Sequence, residues 1–331
     1  MTLTRLSVLE QSPVPEGVSA GQVLQRTGEL ARIAEELGYT RFWLSEHHNT
    51  PYLASAAPEI LTAHVAAVTR RIRVGAGAVL LPNYSPLKVA EVFRLLHALH
   101  PERIDLGIGH ATGADPPTAQ ALQRGTPRLS AQASERAMAD LLIYLAGGSP
   151  PGAQESVRAV PLHSGSPPVW TVGGYTAARQ SACLGLPFVL AHFTNRPDGG
   201  DVLEVYRHAF QPSSRLDQPM AAAAVSVICA ETDPAARRIA SSFQLLRVRI
   251  EDGSATCIPS VEDASRHTFT KAQQAGLRQA RNPLVVGSPE RVHEELNTLS
   301  ETLGVEELLV TTICHDFADR VRSYEMIARA I

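Results

Sequence analysis

Cysteine is scarce in this chain. Cys183, Cys229, Cys257 and Cys314 are scattered over the second half of 331 residues, and no two form a CxxC pair. That spacing excludes a disulfide framework and a zinc knuckle, leaving reduced, buried thiols as the default. An excess of one charge is also missing. Lys and Arg number 30 against 33 Asp and Glu, a formal net charge of -3. The balance offers neither a basic footprint for nucleic acid nor an acidic tail. Nowhere do about 18 apolar residues run together, so no membrane span is expected. The opening "MTLTRLSVLEQSP" lacks a basic region followed by a long apolar stretch, and no secretory leader is read. These absences point to a cytoplasmic protein.

What is present is alternation. Strand-like runs occur at 3–9, 41–45, within 71–82, and at 103–110, 168–174, 187–193, 221–230 and 306–314. Helix-like periodicity separates them at 19–38, 58–70, 86–100, 134–147, 176–185, 201–210, 233–246, 288–304 and 316–331. Ser19, Asp233 and Ser288 are expected N-caps, and Gly38 and Gly304 mark helix ends. Pro86 and Pro289 stand at first helical positions, where proline is tolerated. The strands are apolar on both parities, as parallel strands covered on both faces should be.

Eight strands alternating with helices predict a (β/α)8 TIM barrel with insertions, spanning 1–331 as one domain. The insertions fall near 148–168, rich in Pro, Gly and Ser, and near 247–287, which is poorly patterned. A doubly wound open sheet shares the alternation but carries a glycine-rich phosphate loop after its first strand. This chain has "EQSPVPEG" there.

Barrel enzymes work at the C-terminal ends of their strands. Those ends hold Glu10 and Gln11, then Glu46, His47 and His48, Asn83 and Tyr84, His110 and Thr112, Gly173 to Thr176, His192 and Phe193, and His315 and Asp316. Glu46, His48, His110 and His192 could converge on a divalent ion, which would make a metal-dependent hydrolase. The usual local signal, two histidines one residue apart on a strand, is absent, and no metal is expected. "VWTVGGYTAARQ" runs from a strand through Gly173 and Gly174 into a helix near Thr176. That pattern suits an anion cradle or a plain turn. "VGAGAVLLPN" places Gly75 and Gly77 in a strand, marking either ligand approach or a tight barrel bend.

Several long stretches agree in order with a known family. "ELARIAEELGYTRFWLSEHHN", "RIRVGAGAVLLPNYSPLKVAE", "LHPERIDLGIGHATGADPPTAQAL", "VWTVGGYTAARQSACLGLPF" and "HDFADRVRSYEMIA" resemble the bacterial luciferase-like flavin monooxygenases. The nearest branch is the single-component type found in bacterial and natural-product pathways.

The resemblance implies a barrel, a homodimer, and reduced FMN with O2 oxidising a small organic molecule. It also implies a separate flavin reductase as partner. A deazaflavin is the alternative cofactor. By position, His47 matches the family's catalytic histidine at the reactive edge of the flavin, with Glu46 and His48 beside it. Gly77 and Ala78 match a non-proline cis dipeptide behind the ring. His110, Gly173, Gly174 and Thr176 fall at the phosphate site.

Two positions depart from the family pattern. His110 stands where relatives have an arginine, and glycines stand where they have serines. A histidine offers fewer donors and a weaker charge than arginine. Arg179 or Arg128 would compensate. A barrel that has lost productive flavin binding and acts as a ligand-binding or partner subunit is the rival reading.

Overall fold

The computed structural model describes residues 2–124, 131–194, 200–279 and 284–329. Its strands are β1 (Arg5–Glu10), β2 (Arg41–Leu44), β3 (Arg73–Leu80), β4 (Ile104–Gly109), β5 (Val169–Gly173), β6 (Phe188–Ala191), β7 (Ala221–Cys229), β8 (Leu284–Gly287) and β9 (Glu307–Thr311). The helices are α1 (Ala20–Glu36), α2 (Pro58–Val68), α3 (Pro86–Leu99), α4 (Pro116–Leu122), α5 (Ala131–Leu145), α6 (Tyr175–Cys183), α7 (Gly200–Ala209), α8 (Asp233–Glu251), α9 (Val261–Arg266), α10 (Lys271–Gln279), α11 (Pro289–Leu303) and α12 (Phe317–Arg329).

All strand pairs are parallel. The ring runs from β1 through β6, continues to β7 and β9, and closes on β1. It is a closed (β/α)8 TIM barrel. β8 stands outside the ring, paired with the far half of β7 from Ser226 to Cys229. β8, α9 and α10 all lie in the stretch whose sequence showed no clear pattern. Residues 146–168 hold no helix or strand, as an excursion from the repeat would.

Local signals set many element ends. Ser19 caps α1 in a reciprocal box: Gln22 N donates to Ser19 Oγ at 3.3 Å, and Ser19 N donates to Gln22 Oε1 at 3.0 Å. Gly304 closes α11 in the left-handed conformation, φ 63. At α8 the cap is Thr232, one residue before the expected Asp233. Thr232 Oγ1 accepts from Ala235 N, while Asp233 Oδ1 accepts from Ser288 N across to the start of α11.

The barrel interior is layered. Arg41, Asp105 and Glu307 sit near the N-terminal ends of their strands and are buried. Arg41 donates to Asp105 at 2.8 Å and to Glu307 at 2.6 Å. Arg73 adds a contact to Asp105 at 2.5 Å. Buried charges persist when paired and hydrogen-bonded in this way. Above them Trp43 and Trp170 meet edge to face, centroids 5.7 Å apart, among Leu9, Val189, Ala222, Ala224 and Leu309. Trp43 Nε1 donates to Asp105 Oδ2 at 3.0 Å, which ties the two layers together. The floor of the barrel is therefore filled, and open space remains at the C-terminal ends of the strands.

Candidate active site

A cavity of about 440 Å³ opens at that end. Leu9, Gly77, Val172 and Ala191 line its apolar part, and Leu9 belongs to the tryptophan layer itself. His47, Ala78, His110, Gly173, Gly174 and Thr176 complete the wall. The Gly77–Ala78 peptide bond is cis. A second cleft of about 770 Å³ adjoins it through His110, Tyr175 and Thr176 and continues to Ser134, Arg179, Gln180 and Cys183.

The fold separates the three residues of "EHH". His47 is half-buried on the cavity, held by its main-chain N–H to Ser55 O at 2.8 Å. Burial, with the neighbouring His48, pushes its pKa down to about 4, so the ring is neutral at pH 7. His48 turns to Glu46 instead, Nε2 to Oε1 2.7 Å. The Glu46 side chain has no accessible surface. Its carboxylate accepts from Leu80 N and from Tyr84 Oη, each at 2.9 Å. Glu46 and His47 both border the cavity, Glu46 with its side chain buried, whereas His48 is not among the residues that line it.

His110 stands between the two spaces. Its Nδ1 is 3.5 Å from Ser134 Oγ, and its Nε2 is buried with no partner among the described residues. Burial lowers its pKa and favours the neutral ring. Helix α6 begins at Tyr175, one residue before Thr176, and no side chain caps its N-terminus. Gly173 and Gly174 bring the backbone to that end. Gly173 adopts φ 154, and a Cβ there would meet Ala177 Cβ at 3.1 Å. The uncapped N–H groups and the positive end of the helix dipole at this point would suit an anion.

The strand glycines have a different cause from the one ligand approach suggested. A Cβ on Gly75 would fall 2.3 Å from the Asp105 carbonyl oxygen of the neighbouring strand. On Gly77 it would fall 2.7 Å from Trp43 Cε3. Both glycines answer first to barrel packing, although Gly77 also borders the cavity.

Other rim residues are used by the fold. Glu10 accepts from Arg320 at 2.6 Å and from Ser12 N at 2.6 Å. Asp316 accepts from Ala318 N at 2.7 Å at the start of α12. His315 meets Glu16 O at 3.3 Å. His192 is buried. Among the described residues, no group of three or more His, Cys, Asp and Glu is arranged to hold a metal ion. None of their helices is long and apolar enough to cross a membrane. Arg128 lies outside the described residues.

Sequence reasoning missed Ser134 and Gln180 as cleft residues. A signal for the second existed. Thr176, Arg179, Gln180 and Cys183 follow i, i+3, i+4, i+7 spacing, which is one helical face.

A family model described as luciferase-like monooxygenase matches residues 4–307. The N-acetyl-S-alkylcysteine monooxygenase of Bacillus subtilis (strain 168) is 34% identical over 335 residues, covering 99% of this chain and 98% of that protein. The crystal structure of apo-MsnO8 matches with TM-score 0.89 at 41% identity and covers 98% of each chain. The oxygenating constituent of 3,6-diketocamphane monooxygenase from the CAM plasmid of Pseudomonas putida, in complex with FMN, shares the fold. Its TM-score is 0.72 at 20% identity, with coverage of 99% of this chain and 97% of that one.

Proposed function

The chain belongs to the luciferase-like monooxygenase family, and from that premise we propose that it uses reduced FMN and O2 to oxidise a small organic molecule. The observation that carries this reading is the pair of adjoining spaces. A cavity of about 440 Å³ with an apolar part and a neutral imidazole meets a polar cleft through His110, Tyr175 and Thr176. A flat ring with an anionic tail needs that combination, and the cavity falls within the ordinary range for small ligands.

The residues present fit the cofactor. Gly77 and Ala78 support the ring. His110, whose buried Nε2 has no partner among the described residues, and the α6 backbone at Gly173, Gly174 and Thr176 would hold the tail. Arg179, one turn along α6, supplies the full charge that a neutral histidine lacks. Bound there, reduced FMN supplies the electrons that activate O2. The filled floor excludes water from below. His47, neutral and facing the cavity, accepts or returns a proton at a ring nitrogen.

Electrons come from a separate flavin reductase in this reading. The chain works as a homodimer in the cytoplasm. Exposed Ile60 and Val68 on α2, beside Leu95 and Leu99 on the neighbouring α3, offer an apolar surface to a second copy.

The test is a titration of oxidised and reduced FMN, followed by flavin fluorescence and then by O2 consumption with candidate substrates. Roughly micromolar binding supports the reading. Binding of a deazaflavin in place of FMN, or of no flavin, overturns it; the latter leaves a ligand-binding or partner subunit.

A further inference from the structure

The Glu46 carboxylate is a junction between three loops. Oε2 accepts from Leu80 N, and Oε1 accepts from Tyr84 Oη and meets His48 Nε2. Oε1 also lies 3.5 Å from Asn83 Nδ2, which donates to Thr112 O at 3.1 Å. Thr112 belongs to the loop after β4, and that loop is pressed against the same junction. Gly113 has φ 62, and a Cβ on it would fall 2.1 Å from Leu80 Cδ1 and 3.2 Å from Glu46 O. His48 N donates to Gly113 O at 3.2 Å. The loop that carries His110 is thus held from below by Leu80 and from the side by Asn83, and Glu46 fixes both.

We propose that Glu46 is a positioning residue: through Leu80, Asn83 and Gly113 it fixes the loop after β4, and with it the place of His110 between the two cavities. That His110 meets a phosphate rests on the function proposed above; that Glu46 places His110 does not. Three points support the assignment. Glu46 borders the cavity, but its side chain has no accessible surface. Its oxygens are filled by donors from separate segments. A carboxylate surrounded by donors serves as an acceptor-only bracket.

The conservative variant separates the two roles. Glutamine keeps one oxygen for Leu80 N. Its amide can donate to Tyr84 Oη or to the other tautomer of His48, since both groups can also accept, and only the long 3.5 Å contact from Asn83 Nδ2 is given up. A bracket survives Glu46→Gln; a proton-transfer group does not.

The experiment compares Glu46→Gln, Glu46→Ala and Asn83→Ala in the full chain. The Asn83 variant removes the link between Thr112 and Glu46 while leaving the carboxylate with its other donors, and guards against misfolding of Glu46→Ala. The first readout is the NMR signal of the His110 ring in the flavin-free protein. Glu46→Ala and Asn83→Ala should move it, and Glu46→Gln should leave it in place. The second is affinity for FMN beside riboflavin. Asn83→Ala should lose about tenfold for FMN and less for riboflavin. Combined with His110→Ala it should add little, because both changes remove one contact.

Two results overturn the assignment. One is an unmoved His110 signal in Asn83→Ala and Glu46→Ala. The other is Glu46→Gln with normal FMN affinity but kcat lowered about a hundredfold. Wild-type protein that binds no flavin would defeat the proposed function alone, because the NMR readout needs none.

Discussion

His47 and His48 are consecutive in the chain but serve different neighbours. The His48 ring meets the sealed Glu46 carboxylate at 2.7 Å, whereas the His47 ring borders the cavity. A substitution should therefore separate chemistry from architecture. His47→Gln should lower kcat about a hundredfold or more while FMN affinity changes little. Single-turnover kinetics with pre-reduced FMN would measure this, and a large loss of flavin affinity would contradict it.

The same ring makes stability depend on pH. Its folded pKa, about 4, lies below the ordinary value of 6.5. Between those values the unfolded chain binds a proton that the folded chain does not. The stabilisation is complete above pH 6.5 and is lost as pH falls toward 4. After allowance for partial exposure the loss is about 1–2 kcal/mol. Urea unfolding at pH 7 and pH 5 should show it in the wild type and show a smaller drop in His47→Gln.

Arg179 is expected to act on the anionic tail alone. Arg179→Ala should weaken FMN about ten- to a hundredfold and leave riboflavin within about twofold. Parallel fluorescence titrations would decide, with equal losses for both ligands counting against a phosphate contact.

Phosphate should also draw a proton to His110. Burial holds its ring toward the neutral form, and an anion at Nε2 favours the charged one. FMN should bind more tightly as pH is lowered through the pKa of the complex, with net proton uptake. Calorimetry in buffers of different ionisation enthalpy would report that uptake, and none is expected in His110→Ala.

Glycine substitutions should rank by what blocks them. Gly75→Ala meets the main-chain oxygen of Asp105, which cannot yield without parting β3 from β4. Gly77→Ala meets the Trp43 ring and Leu9, which can shift. The second should cost about 1–3 kcal/mol and the first more. Thermal unfolding of the two variants would test the order.

Periodicity and punctuation made most of the barrel legible. Ser19, Ser288 and Gly304 stand where their helices begin and end; Ser19 and Gly304 act on residues close in sequence, whereas Ser288 makes no side-chain cap bond. Helix α4 escaped notice because Pro116 and Pro117 read as loop, although Asp115 caps the helix they open. Helix α8 runs on through "RVRIE" to Glu251, past the expected end at Leu246, on a polar face with weak apolar spacing. Strand β8 has only four residues, too few for a pattern to emerge.

The site was legible by location and less so by role. The strand ends told where to look. They could not tell that Glu46 would be closed off by Leu80, Asn83 and Tyr84, because those partners arrive from about 35 residues away in the chain. For the same reason the ion pairs of Arg41 with Asp105 and Glu307, which join strands distant in the chain, left no local signal in the sequence.

That buried charge layer, capped by two indoles, has a consequence for traffic. A barrel stoppered at one end is a cul-de-sac. In the function proposed above, ring, gas and substrate would all enter from the open end, and whatever reached the bottom first would be the last able to leave. The architecture thus favours queueing, with the deepest occupant entering ahead of its co-reactants and departing after them.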